Sequence, residues 1–240
     1  MLKDINNLIV DKKILLTFLS LFFFLNGVYA QFSVGVDFGI TNNQLNITSI
    51  DTALKTKERQ GYILGVNLNY RLGKLLLLEL IPGFLEKKYS WVNVSGILNE
   101  VNNTYLQFPI NLKFCFFSKK RINLSMSLGG YYAYWLRSEI EGNAPNVFEI
   151  NSDAKENDIV KLERIKYMHK FDSIYDNRLE FGISSKAELE YHIIKNVFLS
   201  IKFHYYKSLT DQQYHTNEIE STRYNQTNAF TAGLVYLIKK

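Results

Sequence analysis

Hydrophobic and polar residues alternate with a period of two along most of this chain. In "RLEFGISSKAELEYHI", residues 178–193, the charged residues and the histidine fall at even positions and the odd positions are mostly apolar. Successive side chains of a strand point to opposite faces, so the pattern predicts a strand with one apolar and one charged face. The same period recurs in eight segments, at about residues 32–40, 62–71, 75–86, 106–114, 122–128, 178–193, 197–206 and 230–238.

The links between these segments alternate strictly in length. Short links fall at residues 72–74, 118–121 and 194–196, and long links fall at residues 41–60, 87–102, 137–177 and 210–227. Bacterial outer-membrane barrels combine short periplasmic turns with long external loops in this way. The sequence therefore predicts an all-β fold, an eight-stranded antiparallel up-and-down transmembrane β-barrel. In residues 178–193 the odd positions then face lipid and the even positions face the lumen.

Eight amphipathic strands also suit a soluble sandwich or a lipocalin-like barrel, in which the apolar face points inward. Two features favour the membrane arrangement. Seven of the eight segments reach the about 9–11 residues that a membrane-crossing strand needs. Aromatic residues also gather near the strand ends, where transmembrane barrels carry interfacial girdles. They are Trp91, Tyr105, Tyr132, Tyr134 and Trp135 near one end, and Tyr70, Phe116, Phe117, Tyr191 and Tyr236 near the other.

Residues 1–30 have the features of a secretory signal peptide. Lys12 and Lys13 precede an apolar run, and small residues precede a cleavage point after Ala30. The apolar run is shorter than the about 20 residues of a membrane-spanning helix. We therefore expect export from the cytoplasm, removal of the signal peptide, and an outer-membrane β-barrel domain at residues 31–240 that resides in the cell outer membrane.

The formal net charge of +5 is concentrated in the short links and at the end of the sequence. These segments hold basic residues without acidic ones: Lys74, Lys119, Lys120, Arg121, Lys195, Lys239 and Lys240. Nucleic-acid binding would require stacking aromatics interleaved with the basic residues, which these links lack. We expect outer-membrane lipids and lipopolysaccharide as partners, and no nucleic acid.

The positions predicted to face the lumen carry charges of both signs. The acidic set is Asp37, Glu79, Glu180, Glu188 and Glu190, and the basic set is Arg71, Lys113, Arg178, Lys186, Lys202 and Lys207. An eight-stranded barrel is just wide enough to be filled by side chains. We therefore expect a packed salt-bridge network and no open channel.

Two prolines fall inside predicted strands. Pro82 lies in the third segment and Pro109 in the fourth. Each removes the N–H that the sheet ladder needs, and a closed barrel has no free edge to hold it. We therefore expect a β-bulge at each proline.

Candidate catalytic and metal-binding side chains are few. The chain has four histidines, His169, His192, His204 and His215. His204 is predicted to face the lumen near Glu188, as part of a proton relay or, more simply, a structural ion pair. No spacing typical of a metal site occurs, and Cys115 is expected to pack in its apolar run. We expect no enzyme, with no catalytic, cofactor-binding or metal-binding residues.

The link at residues 137–177 has enough surface to recognise a partner. Ile159, Leu162, Ile165, Met168 and Phe171 recur every third position and favour one face of a short helix. The alternation of Ile165, Tyr167, His169 and Phe171 instead favours a hydrophilic loop with the sixth strand extended outward. Long loops are often either functional or disordered, and the sequence does not choose between a mobile loop and a binding segment. If the link is functional, a secretion-system or surface protein is the expected partner.

Several segments resemble the PorT-like outer-membrane β-barrel family, which is common in Bacteroidetes. "TYLQFPINLKF" resembles a signature of that family, with Tyr105 and Pro109 as its specific elements. The match continues through "LSMSLGGYYAYWL", "LEFGISSKAELEY", "LSIKFHYYKSLTD" and "NAFTAGLVYLI". The founding member of the family takes part in the type IX protein secretion route. The resemblance therefore implies a role in assisting secretion.

The last strand resembles the signal that the barrel-assembly machinery recognises. Thr231, Gly233, Tyr236 and Ile238 occupy its polar, glycine, aromatic and apolar positions, although the sequence ends in two lysines where an aromatic is common. The resemblance thus implies the assembly machinery as a partner. We expect a small non-enzymatic barrel with a scaffold or binding role at the cell surface. The alternative is a lipid-modifying outer-membrane barrel enzyme, an acyltransferase or a deacylase.

Overall fold

The computed structural model describes residues 31–48, 55–92, 98–150, 160–214 and 222–238. The predicted signal peptide, His215, Lys239 and Lys240 lie outside these residues. No helix in the described ranges is long and apolar enough to cross a membrane. The described residues form ten strands: β1 (Phe32–Thr48), β2 (Lys55–Arg71), β3 (Leu76–Leu80), β4 (Gly83–Val92), β5 (Leu98–Lys119), β6 (Ile122–Ile150), β7 (Val160–Met168), β8 (Leu179–Ile194), β9 (Val197–Ser208) and β10 (Thr222–Ile238).

The strands close into an antiparallel ring with eight positions. β1 pairs with β2, and β2 pairs with both β3 and β4, which share one position; the order then runs through β5, β6, β8, β9 and β10. β10 returns to β1, from Phe32 opposite Ile238 to Thr48 opposite Thr222. The predicted eight-stranded up-and-down barrel is confirmed. Its short turns follow β2, β5 and β8, as the link lengths indicated.

The two faces of the strands differ as the alternation predicted. On β8 the side chains of Glu180, Lys186 and Glu188 are buried in the lumen, while Phe181 and Leu189 are exposed on the outer face. An apolar outer surface suits lipid, which cannot solvate charged groups. The structure therefore has the inside-out arrangement of a membrane barrel.

The polarity reverses at the end of the barrel that carries the long links, called here the extended end. Along β1 the outward residues are apolar as far as Ile40, but Asn46 points outward and Leu45 is buried inside. Leu45 packs with Tyr89 and Val101. Where water surrounds the wall, burial of apolar side chains is favourable only on the inner side. The wall thus continues beyond the lipid with an apolar interior.

The predicted long links are therefore mostly strand. β1 runs to Thr48 and β2 begins at Lys55, while β4 ends at Val92 and β5 begins at Leu98. The prediction of loops is wrong where these links are strand, at residues 41–48, 55–60, 87–92, 98–102, 137–150, 160–168 and 222–227, and it holds for residues 169–177 and 210–214. The strands were predicted from apolar residues at every outward position. Beyond the lipid the outward residues are polar, so this pattern stops although the strands continue.

β7 corrects the helix predicted within residues 137–177. Residues Val160–Met168 form a strand that pairs with β6, with Ile140 opposite Tyr167. The alternation of Ile165 and Tyr167 correctly predicted a strand. That strand is not an outward extension of β8, however, because residues 169–178 separate β7 from β8. Pairing with β6 satisfies backbone groups that a helix would satisfy within itself, and the long β6 provides that partner.

Pro82 and Pro109 interrupt the sheet without the predicted bulges. β2 and β5 keep one register with β3 and β4 on both sides of residues 81–82. Val66 N donates to Pro82 O at 2.9 Å, and Ile81 N donates to Pro109 O at 3.1 Å. Each proline accepts a hydrogen bond and cannot return one. The two backbone hydrogen bonds that the prolines cannot donate would both involve residues 81–82. The sheet is therefore interrupted between β3 and β4, and the pairing register is the same on both sides of the interruption.

The aromatic girdle at the extended end is only partly as predicted. Tyr132 lies on the outer face, but Tyr105 and Trp135 are buried inside, with 1% and 7% of their surface exposed, and Trp91 packs against an inner cluster. Neighbouring residues of a strand face opposite sides, so Tyr134 and Trp135 cannot both contact lipid. At the short-turn end the predicted outward placement holds for Phe117, Tyr191 and Tyr236, whereas Phe116, at a register shift of β5, lines the periplasmic end of the lumen.

Val36→Arg is expected to lower the free energy of unfolding from lipid bilayers by about 2–4 kcal/mol, because it places a charge in the middle of the apolar face. Asn46→Arg lies on the same face of the same strand beyond that apolar stretch, and is expected to lower it by less than about 1 kcal/mol. Urea titration in lipid vesicles measures both values. Equal losses would contradict a lipid boundary between Ile40 and Asn46.

Candidate functional site

A network of ion pairs fills the middle of the lumen. Its centre is Glu188 of β8, whose carboxylate lies 2.8 Å from Lys113 Nζ, 2.7 Å from Lys186 Nζ and 3.5 Å from Lys202 Nζ. All four side chains are buried. They meet because they occupy inward positions on β5, β8 and β9, and the inward Ser127 of the intervening β6 is small.

Each lysine of this network has a second acidic partner. Those contacts join Lys113 to Glu190 at 2.7 Å, Lys186 to Glu79, and Lys202 to Asp37 at 2.7 Å. An unpaired charge in such a site is strongly destabilising, so the shared partners hold strands that are not neighbours in the sheet. The predicted salt-bridge network is confirmed for these residues.

A second buried ion pair, Lys87 with Glu180, lies closer to the extended end. Glu180 also accepts hydrogen bonds from the Tyr131 hydroxyl at 2.6 Å and from Asn225 Nδ2 at 2.7 Å, and Lys87 Nζ lies 4.5 Å from the centre of the Tyr105 ring. The sequence analysis missed Lys87 because it fell within a predicted loop. The inward period of β3 continues through β4 and would have placed Lys87 inside.

Two residues predicted to face the lumen lie elsewhere. Lys207 points outward, because even residues face inward on β9 and Lys207 is an odd residue. Arg178 lies at the extended rim, where its Nε donates to Trp135 O at 3.0 Å and its guanidinium lies 4.3 Å from the centre of the Phe171 ring. Lys87 supplies the buried cation at that level of the lumen.

His204 faces the lumen as predicted but has different partners. Its ring nitrogens lie 3.1 Å from Thr231 Oγ1 and 3.1 Å from the Tyr206 hydroxyl. Hydroxyl groups therefore engage both nitrogens, in place of the predicted ion pair with Glu188. His192 lies near the short-turn end and stacks on Phe198 with ring centres 4.8 Å apart.

An aromatic plug closes the lumen at the extended end. It consists of Tyr105, Tyr131, Ala133, Trp135 and Tyr206. The Tyr105 and Trp135 rings stack with centres 5.9 Å apart, and Tyr131 meets Tyr206 edge to face at 5.6 Å. A side chain at Gly182 would overlap the Tyr131 ring, so glycine is required there. The plug leaves no continuous path through the described part of the lumen at this level.

Residues 209–214 and 169–178 cover the plug from outside. Gln212 donates from Nε2 to the Tyr105 hydroxyl at 2.7 Å, and Asn177 N donates to Gln212 O at 2.9 Å. A bridge between Asp176 and Gln213 joins the two segments. These contacts fix the cover to the barrel wall.

His169 is paired with a carboxylate at this rim. Its Nε2 lies 2.9 Å from Asp176 Oδ2, and its ring stacks on Trp135 with centres 6.2 Å apart and meets Phe171 at 5.4 Å. Asp176 Oδ2 also accepts from Asp172 N at 2.7 Å. The pair organises the turn that covers the plug. Across the described ranges, no group of three or more His, Cys, Asp or Glu residues could hold a metal ion.

The outer face of the β6–β7 hairpin carries a ladder of ion pairs. Glu141 pairs with Arg164, and Glu139 pairs with Lys166 and with Arg137, the last at 2.8 Å. The hydrogen bond from Lys166 lowers the pKa of the Glu139 carboxyl below its ordinary value. This ladder gives the extended end a charged outer surface, opposite in character to the apolar face below it.

A family model described as an outer membrane protein beta-barrel domain matches residues 29–214. The chain belongs to this family. The family and the ring together establish an outer-membrane β-barrel protein located in the outer membrane. By the architecture of such barrels, the short turns face the periplasm and the extended end faces the exterior.

Solved structures of outer-membrane barrels are similar in fold. The outer membrane protein OprG from Pseudomonas aeruginosa has a TM-score of 0.52 and 9% identity, over 88% of this chain and 97% of that one. The outer membrane protease OmpT from Escherichia coli has a TM-score of 0.48 and 10% identity, over 87% of this chain and 97% of that one. No curated protein sequence matches the chain.

Glu188→Gln is expected to destabilise the barrel by about 3–5 kcal/mol, because it removes the shared acidic partner of three buried lysines. Glu86→Gln removes the acid of a partly exposed pair with Lys88 and is expected to change stability by at most about 1 kcal/mol. The temperature at which the folded band converts to the unfolded band on electrophoresis ranks the two variants. An equal shift would show that the lumen network does not hold the barrel.

Proposed function

We propose that this chain is a small non-enzymatic scaffold or binding protein of the outer membrane that acts through its external extension. The observation that carries this proposal is the lumen. Its middle is filled by ion pairs around Glu188 and its external end is closed by the aromatic plug. A filled lumen favours recognition over transport, and the strands that continue past the lipid supply surface for it.

The β6–β7 hairpin is the part of this surface best suited to a protein partner. β7 pairs with β6 on one side, and the part of the chain that the structure describes places no strand on its other side. An unpaired strand edge offers backbone groups to an added strand. Tyr167 and Met168 are exposed by 50% and 46% among the charged side chains of the hairpin. Exposed aromatic and methionine side chains in a polar surround are typical of interaction sites.

The resemblance to PorT-like barrels supports a finer proposal, in which the partner is a secretion-system or surface protein and the chain assists type IX secretion. The basic periplasmic turns and the apolar outer face support contacts with outer-membrane lipids and lipopolysaccharide. The final strand, with Tyr236 and Ile238 exposed on its outer face, supports recognition by the barrel-assembly machinery.

Replacement of residues 141–166 by Asn-Gly tests the hairpin. Ile140 and Tyr167 are cross-strand partners, and His169 N donates to Ser138 O two positions along, so a two-residue turn can close the shortened hairpin. The variant is expected to remain folded and heat-modifiable and to lose both in-cell crosslinks to protein partners and rescue of a deletion strain.

The control variant replaces residues 93–97, the link between β4 and β5 at the same end, by Asn-Gly. Val92 and Leu98 are cross-strand partners there, so a short turn can join the two strands. This variant should keep the crosslinks and the rescue. Full rescue by the barrel without the β6–β7 hairpin would place the function elsewhere.

A lipid-modifying enzyme is the second candidate, and one observation favours it. The His169–Asp176 pair lies at the external rim, where an imidazole held by a carboxylate could act as a general base. One face of this imidazole stacks on Trp135, the Phe171 ring meets it edge to face, and its carboxylate partner is shared with the turn backbone. These contacts support a structural role.

His169→Ala decides between the two functions. If the pair is structural, the variant should leave the lipid A acylation pattern of the cells unchanged and lower the thermal stability of the barrel. Mass spectrometry of lipid A from the wild-type, deletion and His169→Ala strains provides the measurement. An acylation change shared by the deletion and His169→Ala strains would establish the enzyme.

A further inference from the structure

The lumen differs at its two ends. The external end is closed by the aromatic plug, whereas a cavity of about 280 Å³ lies at the periplasmic end. Small-molecule pockets begin at about this size. Residues from the starts and ends of several strands line it, and Ser33, Arg71, Leu77, Cys115 and Phe198 are among them. The barrel therefore contains a blind pocket that faces the periplasm.

Arg71 differs from the four buried lysines of the lumen. Lys87, Lys113, Lys186 and Lys202 each pair with at least one carboxylate. Among the described residues, the Arg71 guanidinium has no side-chain partner, and its Nε is buried from solvent without a hydrogen bond. A buried donor left unpaired is costly. A ligand that accepts hydrogen bonds from the guanidinium would remove that cost.

The charge of the pocket favours an anion. Its lining holds three basic residues, Arg71, Lys74 and Lys113, and one acidic residue, Glu190, so the sum is +3 − 1 = +2. The acid is already engaged, because Glu190 contacts Lys113 Nζ at 2.7 Å and accepts from Asn123 Nδ2 at 3.3 Å. Lys113 is thereby engaged, and Arg71 and the exposed Lys74 are left as the cations available to a ligand; of these, Arg71 is the one withdrawn in part from solvent.

The other residues that line the cavity favour a ligand whose anionic group is attached to an apolar group. Leu75, Leu77, Phe198, Val235 and Leu237 all line the cavity. Apolar contact with these side chains would be favourable for a short hydrocarbon or aromatic group, and the planar guanidinium suits a carboxylate, which it can contact through two parallel hydrogen bonds.

We propose that this periplasmic cavity binds a small amphiphilic carboxylate, with Arg71 pairing the carboxylate and the apolar walls contacting the rest of the ligand. The site lies at the opposite end of the barrel from the β6–β7 hairpin and does not depend on the external function proposed above. Its ligand would come from the periplasm, because the plug blocks access from outside.

Calorimetric titration of the full barrel in nanodiscs with hexanoate tests the site, with empty nanodiscs subtracted for partition into lipid. Hexanoate should bind saturably, whereas acetate, which lacks the apolar body, and hexanol, which lacks the charge, should each bind at least about tenfold more weakly. Arg71→Gln should weaken hexanoate binding by about tenfold or more, and Arg71→Lys by less. Lys195→Gln removes the same charge from another periplasmic turn and should not change binding.

Cys115 gives a second readout that uses the unaltered protein. It is the single cysteine of the chain, is half-buried and lines the same cavity. Hexanoate should slow its modification by a maleimide several-fold, and hexanol should not. The proposal is overturned if hexanoate binding does not exceed that of empty nanodiscs, if Arg71→Gln binds as well as the wild type, or if hexanoate leaves the rate of Cys115 modification unchanged.

Discussion

Pairing of the first strand with the last is the interaction on which the rest of this structure depends. β1 and β10 pair along their whole length, from Phe32 opposite Ile238 to Thr48 opposite Thr222. Lipid offers no hydrogen bonds to backbone groups, so only a closed sheet can cross it with strands. Closure at eight positions then fixes a narrow interior, and every inward side chain has to fit there with its polar groups satisfied.

The interior accommodates its charged side chains differently at each level. In the middle, three lysines share the carboxylate of Glu188, and these ion pairs connect β5, β8 and β9 across the lumen. Towards the exterior, Lys87 and Glu180 are enclosed by tyrosines and an asparagine. Towards the periplasm, Arg71 remains without a side-chain partner among the described residues. A cation without an acidic partner among the described residues thus lies at the periplasmic end of the lumen.

The boundary of the lipid explains the external extension. Below it the wall is apolar outside and polar inside. Above it Leu45, Tyr89 and Val101 form an apolar interior, and the outer face carries ion pairs such as Glu139 with Lys166. The same strands therefore lie partly in lipid and partly in water. The part above the boundary is built like a soluble sheet, and this is the part proposed to recognise a partner.

The sequence by itself determined the barrel, its number of strands, its inside-out faces and the existence of the ion network. These follow from a period of two and from the lengths of the links, which are local properties of the chain. It could not show that the strands continue beyond the lipid, because the pattern inverts there and resembles a polar loop. It also placed Lys207 inside, since one miscounted position moves a side chain to the other face of the sheet. It left Lys87 out because that residue fell within a predicted loop. Only the tertiary structure decided which charges meet. Glu188 and Lys113 are far apart in sequence and on strands that do not pair, and closure of the ring brings them together across the lumen.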